Sequence, residues 1–298
     1  MQHVQHPGAP HSQPSRSPAP QRTRRLRPLR WLLHGILLLA LSACAAGGGA
    51  AAPTATPAPA VLVPNASAYA AIVGEHFAMN LALEYLRRDP LAREEIVAVE
   101  LLPPAELVTV TAVERFAQSL GNIRARVNLA LELRAEQPGA HTFTSIVVRT
   151  TTGRYELPAG SLAVTVVEGG SPGFYTVFQT RGLQDAPGPL VLTLVNPTAA
   201  TYRFRELVPT NPALSYDAAA ISLTASDGSE QPLPPDGLTL PPGARQGLTV
   251  NWQVDLPKDT PLSIELRPLA RLDGPDGPVY VPMANIMYRN LPATRPVS

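Results

Sequence analysis

The 298-residue sequence predicts a mainly β fold, with one helix at the start of the folded part followed by antiparallel sheets packed as a sandwich. Three observations carry that prediction. From Ile96 onward, apolar and polar residues alternate with a period of two. Turn signals of Gly, Pro, Asn and Asp punctuate the alternation at roughly ten-residue spacing. Proline is abundant, at 34 residues, while charged residues make up only 16%. Proline is excluded from helix interiors and central strands, so this balance favours short strands and rigid turns over a helical bundle.

Residues 1–30 are polar and end in the basic run Arg22-Thr23-Arg24-Arg25-Leu26-Arg27-Pro28-Leu29-Arg30. An apolar stretch of 11 residues, Trp31 to Leu41, follows, and then small residues around Cys44. A positive region, a short apolar core and a small-residue cleavage site define a secretory signal. The six arginines of residues 1–43 have no acidic counterpart. Without them the chain carries 18 basic against 23 acidic residues, a balance of about −5 in place of the formal +1. Such a mildly acidic region, with Lys258 its one lysine, has no basic footprint for nucleic acid. Cys44 is the only cysteine, which excludes an intramolecular disulfide and a cysteine-rich metal site.

Leu41-Ser42-Ala43-Cys44 resembles the lipobox of bacterial lipoprotein precursors. The resemblance covers about residues 22–46. It implies that the Cys44 thiol receives a diacylglyceryl group, that the chain is cut just before it, and that the new amine is acylated. At about 0.8 kcal/mol per buried methylene, two or three acyl chains hold a protein firmly on a membrane. The competing reading is an uncleaved signal anchor running on through Ala52, which Gly47-Gly48-Gly49 weakens. Residues 44–66 are then the lipidated cysteine and a tether of Ala, Gly and Pro, too poor in apolar area to fold.

The helix is expected over residues 67–88. Ser67 suits its N-cap. Tyr69, Ile72, Val73, His76, Phe77 and Leu81 recur at helical spacing, and Asp89-Pro90 stops the run. His76 falls on the apolar stripe and reads as a core histidine. Residues 122–134 give the clearest strand: Ile123, Ala125, Val127, Leu129, Leu131 and Leu133 point one way, while Arg124, Arg126, Asn128, Glu132 and Arg134 point to water. Thr142–Arg149 and Ser161–Glu168 follow as strands, with Pro158-Ala159-Gly160 as a turn, and Gly169–Gly173 marks a boundary. Beyond it, alternation resumes at Leu190–Leu194, Tyr202–Arg205, Ile221–Ala225, Leu248–Leu256 and Leu262–Arg267. The expected organisation is a signal peptide over 1–43, the tether over 44–66, helix plus first sandwich over 67–172, a second sandwich over 173–292, and a tail over 293–298.

Leu157-Pro158-Ala159-Gly160 and Leu240-Pro241-Pro242-Gly243 echo one another, each before an alternating strand. This turn resembles the one before a late strand in extracytoplasmic immunoglobulin-like domains, which implies one or two immunoglobulin-like antiparallel β-sandwich domains. The Cys…Trp…Cys framework of true immunoglobulin domains is missing.

Candidate chemistry is sparse. His76 and His141 are the only histidines after Cys44, and neither has a ligand-spaced partner for zinc. No serine sits in a Gly-x-Ser-x-Gly elbow, and no phosphate-cradling loop precedes a helix. Glu94-Glu95 reads as solvated surface. Asp273-Gly274-Pro275-Asp276-Gly277 reads as a hairpin turn, with calcium as the alternative. Arg124, Arg126 and Arg134 read as an ordinary wet face rather than a polyanion site, and Trp252 as core. The expectation is therefore a non-enzymatic lipoprotein without catalytic residues, metal or cofactor. It would be held to the extracytoplasmic side of the cell membrane by lipid on Cys44, and would serve as an interaction module for an envelope protein or surface polymer. Alternatives are solute or polymer binding and, less favoured, a hydrolase with dispersed carboxylates.

Overall fold

The computed structural model describes residues 60–290 apart from 88, 120–123, 172, 179–182, 185–188, 209–213, 216–219, 225–227, 252, 255–261 and 284. These all belong to one compact unit. The expected signal sequence, the lipobox residues Leu41, Ser42, Ala43 and Cys44, the tail and Trp252 lie outside the described residues.

Apart from a 3-10 turn at Pro90–Ala92, the elements formed by the described residues are all strands. The first eight are β1 (Val61–Leu62), β2 (Asn65–Ile72), β3 (His76–Leu86), β4 (Ile96–Leu102), β5 (Val108–Ser119), β6 (Arg124–Ala135), β7 (Gly139–Thr150) and β8 (Arg154–Val167). The next seven are β9 (Tyr175–Phe178), β10 (Leu183–Gln184), β11 (Leu190–Val195), β12 (Tyr202–Val208), β13 (Leu214–Ser215), β14 (Ile221–Thr224) and β15 (Glu230–Pro232). The last are β16 (Leu238–Leu240), β17 (Arg245–Val250), β18 (Gln253–Val254), β19 (Leu262–Arg267), β20 (Leu269–Gly274), β21 (Gly277–Pro282) and β22 (Ile286–Asn290).

The expected helix over 67–88 is not formed: β2 and β3 occupy that segment, joined by a turn at Gly74 with φ 82°. Within β3, Phe77, Met79, Leu81, Leu83 and Tyr85 are all buried, a period of two that the helical spacing of Phe77 and Leu81 concealed. β2 hides its period for another reason. It is buried on both faces, with Ala68, Tyr69, Ala70 and Ala71 all 0% exposed, and it runs parallel to both neighbours, β8 and β19. A strand covered on both sides loses its alternation, and small residues let both layers approach. His76 leaves the core accordingly. Its ring lies on the surface, 3.0 Å from the Glu132 carboxylate.

β1-β3-β6-β5 form a four-stranded sheet, and β10-β22-β19-β2-β8-β7-β4 a seven-stranded one. β6 alternates as the sequence reads, with Val127, Leu129, Leu131 and Leu133 fully buried between its two antiparallel neighbours. Its apolar face packs with Phe143, Ile146, Leu162 and Val164 of β7 and β8 into a first core. A second core gathers Leu190, Leu192, Leu248 and Val250 from the sheet β15-β14-β17-β11-β9, and Phe204, Leu240, Leu272 and Val281 from the sheet β16-β12-β20-β21. Ala68, Ile264, Leu266 and Tyr288 of the seven-stranded sheet join that second core, while Tyr69 and Ala71 join the first. The seven-stranded sheet thus combines strands from both sides of Gly169–Gly173 and lines a core on each face.

Candidate functional site

β1 covers the edge of β3 only at Leu83 and Glu84. Val63 N–H extends the cover by donating to the Ala82 carbonyl at 2.8 Å. Past that point two side chains from the seven-stranded sheet take over the pairing. The Asn80 backbone N–H donates to Glu265 Oε2 at 2.7 Å, and Asn285 Nδ2 donates to the Ala78 carbonyl at 3.0 Å. A carboxylate on β19 and an amide just before β22 therefore stand in for a missing strand.

Glu265 is 0% exposed. Taking a carboxylate out of water costs several kcal/mol, so it persists only where donors surround it. Oε2 accepts from Asn80 N–H and from the Tyr69 hydroxyl, each at 2.7 Å. Oε1 accepts from Asn80 Nδ2 and Asn285 Nδ2, also at 2.7 Å. The backbone N–H of Glu265 donates to Ser67 Oγ at 2.9 Å. Burial, reinforced by the adjacent carboxylate, pushes the Tyr69 hydroxyl well above its usual range. Two residues on, Arg267 donates to the Ala70 carbonyl, pairs with Glu75 at 2.5 Å and lies 5.4 Å over the Phe77 ring. Glu75 in turn accepts from the Ile72 N–H, which closes the β2–β3 turn. Arg289, on β22, donates to Asn128 Oδ1 at 3.0 Å; burial lowers its pKa, and nearby Arg126 adds to that effect.

This network clamps the first sheet to the second. Each oxygen of Glu265 already takes two donors, so the group is an engaged structural anion rather than a base with a free lone pair.

A second carboxylate cluster closes one end of the first core. Glu94 precedes β4 and accepts hydroxyl donors from Thr150 and Tyr155, at 2.5 and 3.1 Å. Hydrogen bonds from Thr150 and Thr152 hold its carboxyl below the usual carboxylate range. Arg115 of β5 reaches across to the Glu94 and Ala92 carbonyls and to the Tyr85 hydroxyl. Glu94 is thus bound into the fold, where the sequence suggested plain solvated surface.

The remaining sequence candidates settle as follows. Arg126 pairs with Glu84, and Arg134 lies 3.9 Å from Glu136; Arg124 opens β6. Asp273–Gly277 is the tight connection between β20 and β21, and Asp273 is paired with Arg205 at 2.5 Å. Beside it lies an open groove of about 280 Å³, lined by Tyr202, Arg203, Arg205, Thr239, Asp273 and Pro275 among others. His141 packs edge-on against Phe143, 4.8 Å between centroids. Among the described residues no group of three or more His, Cys, Asp or Glu is placed to hold a metal ion, and no helix is long and apolar enough to cross a membrane.

Two exposed strand edges lie on one side of the first core. β5 ends the four-stranded sheet and β4 ends the seven-stranded one. Phe116 on β5 is 54% exposed and Val97 on β4 is 57% exposed. Both strands carry a register irregularity, between Val110 and Ala112 and between Ile96 and Ala98.

No protein-family model matches the chain, and no curated protein matches its sequence. Among solved structures, a protein of unknown function from Porphyromonas gingivalis W83 is 12% identical over 78% of this chain and 100% of that one, with a TM-score of 0.23. The C-terminal domain of the Streptococcus pyogenes antigen I/II-family protein AspA is 7% identical over 79% of this chain and 100% of that one, at a TM-score of 0.22. The C-terminal domain of the Streptococcus agalactiae AgI/II polypeptide BspA is 7% identical over 78% and 100%, at 0.19. Likenesses this distant carry no argument about what the chain does, and the mainly β, largely antiparallel architecture rests on the strands themselves.

Proposed function

We propose that the chain is a lipid-anchored, extracytoplasmic interaction module without catalytic activity, held to the membrane through Cys44 and carrying two immunoglobulin-like sandwich regions that share the seven-stranded sheet. The leader and lipobox support the anchor. The observation that supports the interaction role is the open side formed by β4 and β5. Among the described residues β5, 12 residues long, is hydrogen-bonded in its sheet to β6 alone, and its other edge, beside β4, offers backbone donors and acceptors that an incoming strand completes. Exposed Phe116 and Val97 add apolar contact beside that row. The irregularities in both strands twist the edges, which restrains indiscriminate pairing. The groove beside Tyr202 favours solute binding less, being open and holding a single aromatic side chain.

The test is a pull-down from detergent-solubilised envelope with the wild type and with Ala112→Lys/Phe116→Lys, two exposed positions on β5. A partner retained by the wild type and lost by the variant, with an unchanged melting temperature, is the expected result. A partner that binds both equally moves the interaction off this edge.

A further inference from the structure

We infer that the end of the first core at which the tether joins the fold rests against an anionic phospholipid headgroup surface; the inference depends on the anchor at Cys44 proposed above. The chain enters the described fold at Ala60, and β1 then pairs Val61 with Glu84 near the end of β3. Leu86 opposite Arg124 closes the β3–β6 pair there, and Arg149 opposite Arg154 closes the β7–β8 hairpin. Arg115 bonded to the Ala92 carbonyl, Tyr155 to Glu94, and Thr151 N–H to the Glu95 carbonyl bring these strand ends together.

Charge is divided between the two ends of this core. Arg87 and Arg93 are exposed at the tether end, where Arg124 opens β6 and Arg154 opens β8. Of the carboxylates there, Asp89, between the two arginines, is buried, Glu94 is bound by hydroxyls, Glu156 lies 3.9 Å from Arg154, and Glu95 is exposed. At the opposite end Glu106, Glu132 and Glu168 are exposed and Glu136 is half-buried, with Arg134 the cation beside them. With charges nearly balanced at the first end and carboxylates in excess at the second, an anionic surface draws in exposed Arg87 and Arg93 and repels the second end, within a Debye length of about 8 Å at physiological salt. Val61, 62% exposed, and Val97, 57% exposed, add apolar contact at the attracted end. Only 15 residues separate Cys44 from Ala60, so the anchor limits how far that end can lie from the headgroups.

The experiment uses the full lipidated chain. Cys44 is its only cysteine, so a cysteine introduced at an exposed site supplies the one free thiol after acylation. Val97→Cys and Glu106→Cys are each nitroxide-labelled, bound to vesicles of phosphatidylglycerol with phosphatidylcholine or of phosphatidylcholine alone, and read by accessibility to aqueous nickel. The label at 97 is expected to lose accessibility on the anionic vesicles only, and the label at 106 on neither. Adding Arg87→Glu/Arg93→Glu should restore the accessibility of the label at 97. Equal accessibility at both positions on anchored chains would overturn the inference and leave the anchor standing. A chain that stays off vesicles with a free Cys44 thiol would overturn both.

Discussion

Leu157-Pro158-Ala159-Gly160 and Leu240-Pro241-Pro242-Gly243 carry almost the same signal and become different structures. The second is a turn between β16 and β17, with Ala244 N–H bonded to the Pro241 carbonyl. The first lies inside β8 as an irregularity, where pairing with β7 slips between Phe143 and Ser145. Both place glycine in the left-handed region, φ 83° at Gly160 and 75° at Gly243. Both are also held by a buried asparagine. Asn65 Nδ2 donates to the Val63 and Ala159 carbonyls. Asn196 Nδ2 donates to the Ala200, Leu240 and Pro241 carbonyls, and Asn196 Oδ1 accepts from Thr198. The difference lies in the neighbours. Asn65 opens the parallel strand β2 and sits opposite Gly160, so the backbone there is drawn into a sheet. Gly243 has nothing within 4 Å of a Cβ built on it, and the chain is free to turn. A local motif supplies the permitted dihedral angle, and the tertiary partner decides whether it becomes a turn or a bulge.

Four substitutions sharpen that comparison, each read by the urea midpoint of unfolding. Gly160→Ala should cost most, about 3–4 kcal/mol, because the left-handed backbone is strained by a side chain and neighbours must also shift; its Cβ would stand 2.4 Å from the Asn65 carbonyl oxygen. Asn196→Ala should cost about 2–3 kcal/mol, since it leaves three carbonyls short of a donor. Asn65→Ala should cost less, about 1–2 kcal/mol, because only two carbonyls lose their donor and Oδ1 has no partner to lose. Gly243→Ala should cost about 1 kcal/mol, the left-handed strain alone. Equal losses at Gly160 and Gly243 would break the distinction between an enclosed bulge and an open turn.

The sequence was most informative where one face of a strand meets water. β6 shows this, with six buried apolar positions, Ala125 to Ala135, alternating against half-buried Arg126 and Asn128 and exposed Glu132 and Arg134. It was least informative around β2, whose Ala66, Ala68 and Ala70 look like a helix and whose two covered faces erase the period. Glu265 illustrates a further limit. Ser263, Glu265 and Arg267 alternate with Leu262, Ile264 and Leu266, so which residues share a face was legible. That the polar face is also buried was not. It follows from β3 laying an incompletely covered edge against β19, a contact between residues nearly two hundred positions apart. Asn65 and Asn196 escaped notice for the same reason, since an asparagine beside proline in a loop carries no sign of the distant carbonyls it serves.

The most direct test of the proposed function is metabolic labelling with a fatty-acid analogue, comparing the wild type with Cys44→Ala. The account predicts a labelled, processed wild type in the membrane fraction and an unlabelled variant that keeps its leader. An unlabelled wild type that retains its first forty-three residues, or is found free in the cytosol, would contradict it.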